Sequence, residues 1–319
     1  MTLNRNMKKT ILLIVLSIIS ILIYQFINID YKYFDYAMYI RTPKMLAMVM
    51  AAFCIGYASI IFQSIIRNRV VTPCLLGMNS LYILIHTAIV FFLGTSNILA
   101  ANKYVSFMTD IVLMGTLGTI IYGTLFKRTK YNILYVMLSG TVLATFFSSL
   151  STTLTRTMDP NEYDVLFSKL VPGFDHVNAE LLLMSLVLVI LVFIIFRKQF
   201  KLLDVITLGR NQSINLGIDY DRTITKLLIV VTLLITIATA LVGPISFLGL
   251  ILANLSRESY RTYKHSYLMI GSFLIGVIIL MGGQTLIEHV FGFGTEISVF
   301  INLFGGIYFL YLIVKNKGA

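Results

Sequence analysis

The chain has 319 residues, 58% hydrophobic and only 12% charged, with a mean hydropathy of +0.88. A soluble domain of this length carries about twice that charged fraction. No polar stretch is long enough for a separate soluble unit, so 1–319 reads as a single membrane domain. The net charge of +11 would suggest nucleic acid for a soluble protein. Here the orientation of the spans accounts for it, and no nucleic-acid partner is expected.

Apolar runs near the ~18 residues needed to cross a hydrocarbon core recur along the whole chain. Ten spans are predicted, at about 11–29, 44–65, 74–93, 104–126, 131–154, 179–196, 226–243, 245–258, 268–289 and 297–314. The fold class is therefore all-α membrane. Arg5, Lys8 and Lys9 precede the first run in the manner of a secretory signal, but Tyr24, Gln25 and Phe26 stand where small cleavage-site residues would lie, so an uncleaved span is expected. Cys54 and Cys74 fall inside or at the edge of spans and imply no disulfide. The eighth span crosses only if the preceding turn, Gly243-Pro244, lies within the membrane, where broken backbone survives only against protein or water.

With the N-terminus inside, the outer segments hold only Lys32, Arg41, Lys44, Lys103, Arg156 and Lys169. The other 19 of the 25 basic residues, including Lys130, Arg261 and Lys317, lie inside, as the positive-inside rule requires. Both termini are then cytoplasmic. The outer loop 156–178, with Asp159, Glu162, Asp164 and Asp175, is long enough for a short surface helix.

The sequence has no Gly-rich loop ending in GKS or GKT, no HExxH, no CxxC and no Gly-x-Ser-x-Gly elbow. His86, His176, His265 and His289 stand at unrelated depths. No catalytic residue, metal site or cofactor is expected, and transport is favoured over an enzyme. Asp110 lies about two turns into the fourth span and His86 midway along the third. Ionisable groups at such depth default to a functional role, with pairing against a neighbouring helix as the plainer reading. In the fifth span Thr141, Thr145, Ser148 and Thr152 recur at steps of four, three and four, on one helical face. Gly140, Ala144 and Ser148 form an overlapping small-residue ridge. That face is either a translocation path or a close packing surface whose hydroxyls bond their own backbone. Ala52 and Gly56 in the second span read as packing.

Three segments carry more than composition. The first is Arg41-Thr42-Pro43-Lys44, followed by Gln63, by Asn68-Arg69-Val70-Val71-Thr72-Pro73 and by Leu76-Gly77. The second runs from Thr207 to Gly217, and the third from Gly243 to Ile251, with Arg257 beyond it. Together, in order and in register from about 41 to 312, they resemble the FecCD family, the BtuC-like permease subunits of ABC importers for iron-siderophores, haem and cobalamin. Met78-Asn79-Ser80-Leu81-Tyr82, and Ala253-Asn254 where the family has Pro-His, resemble the FatC/YclO-type branch, associated with catecholate siderophores.

The resemblance implies a ten-span BtuC-like permease with short outer and cytoplasmic coupling helices, moving an iron-siderophore chelate while a separate ATPase hydrolyses ATP. It implies as partners the ABC ATPase subunits, a second permease subunit in a heterodimer and an extracytoplasmic siderophore-binding lipoprotein. Arg41, Lys44 and His289 match positions that dock the binding protein, the alternative for Arg41 and Lys44 being anchorage at the headgroups. Leu208, Gly209, Arg210, Gln212, Ser213, Leu216 and Gly217 match the loop seated in the ATPase. The iron stays within its chelator, so no ligand for it is expected. A stand-alone secondary transporter and a haem or cobalamin permease are the alternatives.

Overall fold

The computed structural model describes residues 2–129, 132–174, 177–260, 262–292 and 296–316. Lys130, Asp175, His176, Arg261 and Lys317 lie outside them. The described chain is helical, in the order α1 Thr2–Phe26, α2 Phe34–Ile66, α3 Met78–Leu93, α4 Ile98–Ala101, α5 Lys103–Arg128, α6 Ile133–Arg156, α7 Pro160–Leu170, α8 Ala179–Ile206, α9 Arg210–Asn215, α10 Tyr220–Val242, α11 Leu248–Ser259, α12 His265–His289 and α13 Ile297–Asn316. Eight of these are long and apolar enough to cross a membrane. The expected third and eighth spans are the shorter α3, of 16 residues, and α11, of 12. At 1.5 Å per residue they reach about 24 and 18 Å.

Three helices form the centre. In the spanning windows of α2, α10 and α12, 67%, 72% and 56% of residues are buried, against 22% in α6 and α8. α2 packs on both α10 and α12, with α5 and α8 outside α10 and α1 outside α12. Small residues bring the central helices together, as is usual where lipid removes the hydrophobic drive between helices. A Cβ on Gly276 would lie 2.8 Å from Cβ of Ala52, and one on Gly56 3.0 Å from Ser272 Oγ. Ala52 and Gly56 therefore pack α2 against α12, as their spacing suggests.

Four helices run well past their apolar stretches; α1 starts at Thr2 rather than near 11, and α10 at Tyr220 rather than near 226. α2 starts at Phe34 rather than near 44, so Pro43 lies inside it. Proline cannot donate to the carbonyl four residues back, yet the helix continues. α8 runs on past Arg197, Lys198 and Lys201 to Ile206. Conversely, the predicted span at 74–93 opens with a separate 3₁₀ turn, Cys74–Leu76, before α3 begins. Cys54 and Cys74 are free and buried.

The turn between α10 and α11 is closed by the segment after α7. Gly243 has φ +82°, and a Cβ there would sit 2.7 Å from Cα of Pro172. The N–H of Gly173 donates to the carbonyl of Val242 at 3.1 Å. The surface helix expected in 156–178 is α7, capped by Asp159, whose side chain accepts from the N–H of Asn161 at 2.9 Å with Pro160 at the first position.

Candidate functional site

One end of the bundle gathers the start of α1, the ends of α2, α8 and α11, the start of α12, and α9. The short helix α9 occupies the segment matched to the coupling loop. Gly209 precedes it with φ +104° and Gly217 follows it with φ +79°, a region that side-chain-bearing residues rarely adopt. Its C-terminus is a Schellman closure: the N–H of Gly217 donates to Ile214 and that of Ile218 to Ser213, at 2.9 and 3.0 Å. Ser213 is fully buried and its hydroxyl donates to the Val205 carbonyl at 3.0 Å, tying α9 to α8. A Cβ on Gly209 would lie 2.6 Å from Nη1 of Arg67 at the end of α2.

Leu208, Arg210, Gln212, Ile214 and Leu216 are exposed around this helix. Arg210 pairs with Asp221 at 3.1 Å. The unit is thus held by Ser213 and its two glycines while it presents apolar and polar side chains outward. Isolated exposed apolar residues need no explanation; here three, Leu208, Ile214 and Leu216, cluster around one six-residue helix. Beside it lies an open recess of 380 Å³ whose walls include Arg67, Arg69, Arg257 and His265.

The three expected docking residues fall at the other end. Arg41 lies within α2 rather than ahead of it. Its Nη1 donates to the carbonyls of Tyr24, Gln25 and Ile27, at 3.2, 3.3 and 2.8 Å. Those are orphan acceptors at the end of α1, where a cation also meets the negative end of the helix dipole. Lys44 is half-buried one turn on. Nδ1 of His289 stands 3.1 Å from the Thr285 carbonyl. Tyr24 links the group: its carbonyl accepts from Arg41 and its hydroxyl donates to Glu288, the neighbour of His289, at 3.3 Å.

Glu288 was not singled out from the sequence. It is 8% exposed, and Gln284 donates to it at 2.9 Å. A carboxylate near the end of an apolar run was the signal that could have found it. Asp110 and His86 meet at 2.8 Å, both buried, with the Tyr82 ring 4.5 Å from that of His86. The pair joins α5 to α3. On α7, the ammonium of Lys169 donates to the Ala100 carbonyl. Burial lowers its pKa, while the Asp110 carboxylate works to raise it.

On α6 the two overlapping sets separate. Gly140 and Ala144 pack against the 3₁₀ turn: a Cβ on Gly140 would lie 2.3 Å from Leu76, and one on Gly77 2.9 Å from Cα of Ala144. Thr141, Thr145, Ser148 and Thr152 are all exposed. Thr141, Thr145 and Thr152 satisfy their hydroxyls on their own helix, at 2.9, 3.0 and 2.8 Å. Thr141, Thr145 and Ser149 line a shallow recess of 330 Å³ with Val142 and Phe146. The hydroxyl face is therefore not the face packed within this chain. Among the described residues, no group of three or more His, Cys, Asp or Glu could hold a metal ion.

The pattern of the FecCD transport family matches residues 4–315. The petrobactin import system permease protein YclO of Bacillus subtilis (strain 168) is 42% identical over 313 residues, covering 98% of this chain and 99% of that protein. The petrobactin import system permease protein YclN of the same strain is 26% identical over 295 residues, 87% of this chain and 85% of that one. A solved structure described as an inward-facing conformation of a metal-chelate type ABC transporter superposes with a TM-score of 0.80, over 97% of this chain and 99% of that one. At 22% identity it speaks for the fold.

Proposed function

Because the chain belongs to the FecCD transport family, we propose that it is the permease subunit of an ABC importer moving an iron-siderophore chelate, of the catecholate type, across the cell membrane. It is a transport component and not an enzyme: ATP is hydrolysed by a partner subunit. The observation that carries this reading is the full-length 42% identity to a petrobactin import permease. The outward-presenting side chains of α9 are consistent with it.

The assembly follows from the same reading. ATPase subunits seat α9, with Leu208, Arg210, Gln212 and Leu216 as contacts and Gly209, Ser213 and Gly217 fixing its shape. A second, distinct permease completes the pore; two different chains of one Bacillus strain carrying petrobactin permease names support a heterodimer. The hydroxyls of Thr141, Thr145, Ser148 and Thr152 face the path between the subunits. A siderophore-binding lipoprotein docks at the opposite end through Lys44, His289 and the free edge of Arg41, where charge complementarity sets encounter rate and register. Arg41 combines that task with closing α1.

The spans number ten, with α3 and α11 completing the crossings alongside the eight long helices. Both termini are cytoplasmic. The placement of Lys9, Arg67, Arg69, Arg210, Arg222, Arg257 and Lys264 toward the α9 end favours that orientation. The test is reconstitution with and without the partner ATPase. Uptake of a ferric catecholate chelate should require the ATPase and its ATP.

A further inference from the structure

Asp204, in the last turn of α8, begins a hydrogen-bonded chain that runs into the packed helices. Its Oδ1 accepts from the backbone N–H of His265 at 2.9 Å and lies 2.5 Å from Nδ1 of the same residue. The other ring nitrogen, Nε2, is 2.8 Å from Oγ of Ser64 on α2. Ser64 also reaches the Ile60 carbonyl at 2.7 Å and accepts from Nη2 of Arg257 on α11 at 3.1 Å. Nε of Arg257 donates to Gln63 at 3.3 Å, and Gln63 donates to the Arg69 carbonyl at 2.7 Å, which also accepts from Asn254 at 2.9 Å. His265 and Ser64 are 4% and 3% exposed. Since Ser213 ties α9 to Val205, one polar chain connects α9 and α8 with α12, α2 and α11.

The number of protons in this chain is constrained. A serine hydroxyl has one hydrogen and two lone pairs. If Ser64 gives its hydrogen to Ile60, Nε2 must donate to Ser64. Nδ1, facing an ionised carboxylate, donates as well, and a ring donating from both nitrogens is an imidazolium. If the ring is neutral, Ser64 must turn its hydrogen from Ile60 to Nε2. The charge on His265 thus decides whether Ser64 is bonded into its own helix while bracing α12, or released from that helix.

The groups facing the ring are of both signs. Burial opposes the charged form most, Asp204 on α8 favours it, and Arg257 on α11 opposes it. Arg67, Arg69 and Tyr263 line the same recess. From α1, the ammonium of Lys9 is taken by the Ser259 carbonyl, and Thr10 bonds the Tyr260 hydroxyl at 2.9 Å.

We propose that Asp204 and His265 form a proton-dependent joint that passes the movement of α9 into α2, α11 and α12, braced when His265 is an imidazolium and slack when it is neutral. The proposal rests on the reading of α9 as the ATPase contact. Both are positioning residues, touching neither substrate nor nucleotide. The charged form bonds more strongly to Asp204 because ionised donors and acceptors make the stronger hydrogen bonds. Histidine is the side chain whose charge changes within the working range of pH.

The test uses the complete importer in liposomes and reads chelate moved per ATP hydrolysed between about pH 5 and 7.5. In the wild type the ratio should fall severalfold as pH rises. His265→Gln should give a low ratio that does not change with pH. Asp204→Asn, at a half-exposed position suited to substitution, should move the fall to lower pH by about one unit or more, since it removes the adjacent anion. Gly209→Asp serves as reference and should uncouple at every pH. If Gly209→Asp uncouples while His265→Gln retains the wild-type ratio and pH dependence, the joint is refuted and the α9 reading stands. If Gly209→Asp leaves coupling intact, the α9 reading falls and the joint with it. If His265→Gln does not assemble, Asp204→Asn decides: an unmoved profile refutes the joint.

Discussion

Nη1 of Arg41 donates to the carbonyl oxygen of Ile27 at 2.8 Å, closing the end of α1 from inside α2. The residue thus has a structural task beside the docking role proposed for it, and the two separate by experiment. Arg41→Ala should lower stability by about 1.5–3 kcal/mol, the range for a hydrogen bond to a charged group, read from the detergent-unfolding midpoint. Arg41→Lys keeps the charge but lacks the planar fork. It should preserve most of the binding-protein on-rate while losing part of that stability. Arg41→Glu should slow capture, and added salt should slow the wild-type encounter. An on-rate indifferent to both would remove Arg41 from docking.

Gly209 and Gly217 both have positive φ but differ in surroundings. Alanine at Gly217 carries roughly 1–2 kcal/mol of left-handed backbone strain, whereas at Gly209, with φ +104° and ψ 168°, the backbone is in a region essentially restricted to glycine. At Gly209 its Cβ would also displace the end of the flexible Arg67 side chain, a small added cost, while at Gly217 nothing lies within 4 Å. Gly209→Ala should therefore weaken ATPase-coupled uptake more than Gly217→Ala, with membrane insertion equal in both. The reverse order in a transport assay would count against this account of the loop.

The buried pair of Asp110 and His86 joins α5 to α3. Removing one partner of a buried polar pair leaves the other unsatisfied, at about 1–3 kcal/mol, whereas replacing both with apolar groups of similar shape can be nearly neutral. Asp110→Leu and His86→Leu should each be destabilising, and the double replacement should recover much of the loss. Additive losses in a double-mutant cycle would show that the two groups do not act as a pair.

The hydroxyl face of α6 is exposed in the isolated chain. If it lines the path, Thr145→Cys in the assembled importer should react with a water-soluble thiol reagent, and the labelled protein should lose uptake while retaining its ATPase partner. Val142→Cys provides a neighbouring comparison. Protection of both positions would place this face against lipid or the second permease.

Most helix ends were legible because apolar runs, caps and basic flanks agree, as with Asn132 before α6 and Asp159 before α7. The starts of α1, α2, α3 and α10 and the end of α8 were not. Pro43 looks like a first helical residue, so the preceding turns of α2 are hidden, and with them the contact of Arg41 with α1. Arg197, Lys198 and Lys201 end the apolar run of α8 but not its helix, since a helix leaving lipid needs no apolar face all round. That extension carries Asp204 to His265, a contact between positions 61 apart with no periodic signal. The short helix α9 was legible through the spaced glycines that flank it. The division of α6 into a packed ridge and an open hydroxyl face was not, because both sets share one spacing and only the position of Leu76 and Gly77 separates them.

The central claim is that this chain moves a ferric catecholate chelate using a partner's ATP hydrolysis. The direct measurement is chelate uptake into liposomes containing this chain, its companion permease and the ATPase subunits, with the binding protein outside, comparing an active ATPase with one inactivated at its nucleotide site. The account predicts uptake only with the active ATPase, and no ATP hydrolysis by the purified chain alone. Uptake that persists with the inactive ATPase would contradict it.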